Sequence, residues 1–146
     1  MLRRETVTSN GRVLALDPGE RRVGVAVSNS DRSMAFPRPA INAGTELIQA
    51  VVRLIQEDSI THVVIGHPVT LQGAQGASAK GAQELARALS DELEPDAIGV
   101  ELHDERLTTK QAGAVLRDAG KSTRDQKDLI DSASAAILLE AWLQCR

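Results

Sequence analysis

The sequence predicts an α/β fold, a five-stranded mixed sheet of order 3-2-1-4-5 flanked by helices, within a single domain over residues 1–146. Three observations predict it. The apolar period switches repeatedly between strand-like alternation and helix-like spacing. The first three strand runs follow one another through short turns, whereas the later two are separated by helical stretches, so an antiparallel meander feeds right-handed parallel crossovers. No repeat, low-complexity tract or long linker divides the chain.

Residues 1–10 carry no apolar pattern and are expected to form a flexible tail. Residues 11–17 and 22–29 are rich in Val, Leu and Ala and are joined by Pro18-Gly19-Glu20-Arg21, a loop of hairpin length. A third strand, interrupted by Pro37 and Pro39, belongs near a sheet edge, since proline cannot donate to a ladder. Thr45 is placed to cap a helix that carries Leu47, Ile48, Val51, Val52, Leu54 and Ile55 on one face. The short apolar run His62-Val63-Val64-Ile65 is a fourth strand, parallel and buried. A glycine-containing loop over 66–77 leads to a helix from about Ser78 to Glu92, and a fifth strand spans Ala97 to His103. Two helices complete the order, the first ended by Gly120 and the second alanine-rich and opened by Asp131.

Composition narrows the function. The chain has 42% hydrophobic and 25% charged residues, a formal net charge of −3, one cysteine, one Trp, one Phe and no Tyr. Cys145 alone supports neither a disulfide nor a thiolate site and suits a reducing cytoplasm. No run approaches the roughly 18 apolar residues of a membrane span, so no membrane partner is expected. The charge balance argues against non-specific coating of nucleic acid, and the lack of aromatics removes a base-stacking platform. Any nucleic acid would be held through backbone and shape.

The chemistry lies in three acids. Asp17 ends the first strand run, Asp104-Glu105 ends the last, and Asp131 stands on the C-terminal helix. In the order 3-2-1-4-5, strands 1, 4 and 5 are parallel and their carboxyl ends share the edge where open α/β sheets bind ligands. Asp17 and Glu105 then start about 10 Å apart with Gly66 between them, leaving room for one or two ions. Oxygen donors without a histidine or cysteine cluster suit Mg2+ or Mn2+, and hence phosphodiester hydrolysis by an activated water. Adjacent strand residues face opposite ways, so only one of Asp104 and Glu105 can serve. Among Arg22, Arg106, Lys110 and Lys127, Arg106 and Lys127 are the preferred phosphate contacts. Simpler readings exist for each acid: Asp17 as a turn residue before Pro18-Gly19, Asp104 or Glu105 as a helix cap, and Asp131 as the i+4 partner of Lys127. His67 is read as a loop histidine outside the catalytic set.

The residues that carry this argument resemble one family. The stretches are Ala15-Leu16-Asp17-Pro18-Gly19 with Arg22-Val23-Gly24-Val25-Ala26-Val27-Ser28, Val64-Ile65-Gly66-His67-Pro68 with Gly73, His103-Asp104-Glu105-Arg106-Leu107-Thr108-Thr109, and Lys127 to Leu139. In this order and spacing they are similar to the YqgF family, also called RuvX, of the ribonuclease-H-like superfamily. The resemblance implies a ribonuclease-H-like fold, nuclease activity, maturation of the 5′ end of pre-16S ribosomal RNA in the bacterial cytoplasm, and kinship to Holliday-junction resolvases acting on branched DNA. It maps the acidic positions onto Asp17, Glu105 and Asp131, with Glu105 preferred to Asp104. Two positions depart from the family pattern: His67 replaces a usual leucine, and Thr70 a usual asparagine, which removes an amide donor.

Two other functions compete. The Asp17-Pro18-Gly19 hairpin also resembles the phosphate loop of actin-like and sugar kinases, but no second such loop follows. A binding module without turnover would not need three acids. A resolvase would require a symmetric homodimer for paired cuts; Trp142 and Leu143 could serve one, although packing on the sheet suits them better.

Overall fold

The computed structural model describes residues 11–19, 21–67, 77–93, 98–104 and 123–144. The order is β1 (Arg12–Pro18), β2 (Arg22–Ser28), β3 (Ala35–Asn42), α1 (Leu47–Glu57), β4 (Ile60–His67), α2 (Ala77–Leu93), β5 (Gly99–Asp104) and α3 (Thr123–Gln144). The strands form one sheet of order β3-β2-β1-β4-β5, antiparallel at β3-β2-β1 and parallel at β1-β4-β5. This is the topology expected from the alternation of meander and crossover.

Alternation along the strands builds two cores. Leu14, Leu16, Val23, Val25, Val27, Val63 and Ile65 pack against Val51 and Ile55 of α1 and Ala82, Leu85, Leu89 and Leu93 of α2. The helical residues recur at spacings of three and four, one apolar stripe per helix. The opposite face presents Val13, Ala15, Ala26 and Val64 to Ala135, Ala136, Leu138, Leu139 and Trp142 of α3. Small side chains on both partners let this helix lie close to the strands.

Three local expectations are corrected. Thr45 does not cap α1: the N-cap is Glu46, without a side-chain cap bond. A turn serves instead, with the Leu47 N–H bonded to the Gly44 carbonyl and the Ala50 N–H to the Glu46 carbonyl. Pro37 and Pro39 do not interrupt β3, which is continuous over eight residues. It lies at the edge, and the ladder takes up Pro39 through a register slip between Val23↔Ile41 and Val25↔Arg38. Asp131 does not open the last helix. α3 starts at Thr123, so Asp131 is its ninth residue, because the polar stretch Thr123-Arg124-Asp125-Gln126-Lys127-Asp128 is compatible with helix but lacks the apolar stripe by which sequence marks one. The expected tail over 1–10, the turn at Thr70 and Gly73, the helix end at Gly120, and Lys110 and Cys145 lie outside the described residues.

Candidate active site

Asp17 closes β1 on the face covered by α3. Val13 and Ala15 belong to the α3 core and Leu14 and Leu16 to the other, so alternation directs Asp17 to the α3 side. Its partner across the hairpin is Gly24, which carries no side chain. The turn beyond it is tight: the Gly19 N–H bonds the Arg22 carbonyl at 3.0 Å, and a Cβ on Gly19 would lie 2.7 Å from that oxygen. The Asp-Pro-Gly sequence thus ends the strand abruptly and leaves the carboxylate half-buried at its tip.

Leu16 pairs with Ile65 in the parallel register, and Gly66, the next residue of β4, pairs with His103. Asp17, Gly66 and His103 therefore form a row across three neighbouring strands at their carboxyl edge. Gly66 fills no space on this row, as the sequence led one to expect. His67 falls in the opposite alternation and lies 3.3 Å from Gln83 of α2, Nε2 to Nε2, away from Asp17.

α3 crosses the sheet on the same side as Asp17. Its Ser132 Oγ accepts the Val25 N–H at 3.0 Å and donates to the Arg38 carbonyl. Asp131 immediately precedes this anchor, and Lys127 lies one helical turn earlier. Glu105 and Arg106 lie outside the described residues. Among the described residues no three of His, Cys, Asp and Glu are grouped as a metal cage.

A second polar group lies further back on the α3 face. Glu101 Oε1 is 2.8 Å from His62 Nε2, and the Trp142 Nε1–H donates to Glu101 Oε2 at 2.9 Å. The His62 and Trp142 rings stack with centroids 5.1 Å apart, and the Arg32 guanidinium lies 5.9 Å from the Trp142 ring. Arg32 is itself tied to the Gly11 carbonyl and to Thr61 Oγ1. These side chains fasten the end of α3 to β4 and β5. Trp142 is buried in the core rather than available to a dimer. A cleft of about 340 Å³ lined by Gly11, Arg12, Ser30, Glu57, Asp58 and Ser59 opens at the amino ends of β1 and β4, remote from Asp17.

Sequence reading missed His103 and Ser132. His103 could have been found from the odd-numbered register of β5, and Ser132 as the hydroxyl within an alanine-rich apolar stripe.

The sheet order and the crossing helix define a ribonuclease-H-like α/β protein. The chain is similar in fold to RuvC of T. thermophilus, solved in complex with a Holliday junction substrate, with TM-score 0.59 and 16% identity over 91% of this chain and 96% of that one. A fowlpox virus resolvase, solved with Holliday junction DNA, gives TM-score 0.57 and 9% identity over 92% and 97%. Within that class the chain belongs to the RuvX family: residues 11–145 match the family described as "RuvX: Holliday junction resolvase". A relative from Chloroflexus aurantiacus named "Putative pre-16S rRNA nuclease" is 41% identical over 92% of this chain and 87% of its own length. A relative of the same name from Mycobacterium leprae is 40% identical over 93% and 74%. Family and fold are those of nucleases and resolvases. No helix among the described residues is long and apolar enough to cross a membrane.

Proposed function

We propose that this chain is a divalent-metal-dependent nuclease that matures the 5′ end of pre-16S ribosomal RNA in the cytoplasm. The observation that carries the reading is Asp17, held at a strand tip on the face that α3 crosses, beside the side-chain-free positions Gly24 and Gly66. The names of the relatives supply the substrate.

Asp17, Glu105 and Asp131 are the proposed ligands. A donor set of carboxylates, in a chain whose single cysteine is Cys145, suits a hard cation such as Mg2+ or Mn2+. When bound, such an ion supplies Lewis-acid charge to the scissile phosphate and an activated water. Arg106 and Lys127 hold the substrate phosphates by charge, so recognition runs through backbone and shape, in keeping with one Trp, one Phe and no Tyr. Glu105 is preferred to Asp104 because the α3 side of β5 falls on its odd-numbered positions, Glu101 beside Val64 and His103 beside Gly66, and Asp104 ends the strand on an even one.

The family description and the two resolvase structures favour a second reading, resolution of branched DNA, which requires a two-fold dimer. One experiment separates the two. Purified protein and Asp17→Asn are incubated with a 5′-extended pre-16S RNA fragment and with a four-way DNA junction, each in Mg2+, Mn2+ or EDTA. Metal-dependent cutting of the RNA alone, lost in Asp17→Asn while its thermal unfolding is unchanged, is the expected result. Paired symmetric cuts in the junction would replace it with the resolvase, and cleavage surviving in Asp17→Asn would refute the site.

A further inference from the structure

Ser132 is fully buried on α3, which presents Ala135, Ala136, Leu138, Leu139 and Trp142 to the sheet. Packing alone gives no reason for a hydroxyl there. Alanine is the better helix former and brings no polar group into the core.

The hydroxyl meets the sheet at one particular rung. Val25 and Arg38 are partners across β2 and β3, and Ser132 Oγ bridges the N–H of the first and the carbonyl of the second. This rung borders the register slip, where Gly24 alone on β2 faces Pro39 and Ala40 on β3. An extra residue loosens a ladder locally, and the hydroxyl spans the loosened place. The same segment of β2 runs beside the end of β1, where Gly24 pairs with Asp17 and Val25 with Leu16. Helix and sheet are thus joined one rung from Asp17, by the residue that follows Asp131.

We propose that Ser132 is a positioning residue, whose hydroxyl sets the depth and rotation of α3 on the sheet and thereby fixes where Asp131 stands relative to Asp17. The inference rests on the nuclease reading, in which both acids hold the ion. Alanine side chains against Ala15 and Ala26 form a smooth contact that resists sliding weakly, whereas two directional bonds to strand backbone define a single setting. Carboxylates that share a small hard cation need that definition, because Mg2+ demands near-octahedral geometry.

The test measures Mn2+ binding by calorimetry on the full chain, without substrate, beside RNA cleavage as a function of Mn2+ concentration and thermal unfolding in EDTA. S132A is expected to fold, to bind Mn2+ about tenfold more weakly, and to regain cleavage as Mn2+ is raised. S132T keeps the hydroxyl and is expected to recover most of the affinity. In a D131N background, S132A is expected to weaken Mn2+ binding no further, since it acts through Asp131. Native Mn2+ affinity in S132A, with or without a loss of stability, would overturn the proposal, as would an equal loss in the presence and absence of Asp131. If D17N and D131N themselves bind Mn2+ as the unaltered chain does, the ligand assignment fails; if they lose binding while S132A keeps it, only the role of Ser132 fails.

Discussion

Trp142 offers a quantitative test of how α3 is held. Its ring is 4% exposed, stacks on His62 and donates to Glu101. Burial of roughly 200 Å² at about 25 cal/mol/Å² corresponds to ~5 kcal/mol, reduced to about 3–4 kcal/mol by compaction of the unfolded chain. The hydrogen bond adds about 1 kcal/mol, toward the low end for a charged acceptor, because the Glu101 side chain is 35% exposed and water can replace the donor. Trp142→Ala is therefore expected to cost about 4–5 kcal/mol, a large part of the ~5–15 kcal/mol typical of a domain. Trp142→Phe retains most of the ring and is expected to cost about 2 kcal/mol. Since Trp142 is the chain's single tryptophan, unfolding in urea is followed by far-UV circular dichroism rather than fluorescence. A double-mutant cycle of Trp142→Phe with Glu101→Ala isolates the bond and should give a coupling near 1 kcal/mol. Stability of Trp142→Phe within about 0.5 kcal/mol of the unaltered chain, or a cycle that closes at zero, would refute the assignment of this contact as a fastening of α3.

Other substitutions probe separate points. Gly11 has φ +104°, and a Cβ there would lie 2.6 Å from Thr61 Oγ1, so Gly11→Ala is expected to cost about 1–3 kcal/mol in thermal unfolding. Gly99→Ala would bring a Cβ to 2.8 Å from His62 Nδ1; the ring must swing off Trp142, and a shift in the tryptophan emission maximum should report it. Buried Ser28 accepts the Val13 N–H and donates to the Asn29 carbonyl, both at 2.9 Å, and Ser28→Ala is expected to cost about 1–3 kcal/mol in urea. Leu89→Ala removes a fully buried side chain between α2 and the sheet, for about 2–5 kcal/mol by the same measurement.

The sheet was legible in the sequence because β1, β2 and β4 announce themselves by apolar runs, β5 by alternation, and each crossover by a helical stripe. The edge position of β3 was legible through its prolines, and the tip position of Asp17 through the Pro18-Gly19 turn. The start of α3 was not, since Thr123 to Asp128 are polar and carry no periodic signal. The absence of a Thr45 cap was also hidden: a backbone turn through Gly44 satisfies the same N–H, and sequence does not distinguish the two. The rung that Ser132 bonds depends on register, on which residue of β2 stands beside which of β3. A one-residue slip at Pro39 decides that, and composition along a single segment does not reveal it.

The bonds from Ser132 reach back 107 residues to Val25 and 94 to Arg38. Synthesis runs from the amino end, so the core between the sheet and α1 and α2 has its helices and four of its strands by residue 93. Among the described residues the other side of the same strands, with Val13, Ala15, Ala26 and Val64, is covered by α3, which is complete only once Gln144 has been made. Long-range closure of this kind slows folding. Among the described residues this second apolar face of the sheet waits longest for its cover, and the step that covers it also docks the helix that carries Asp131.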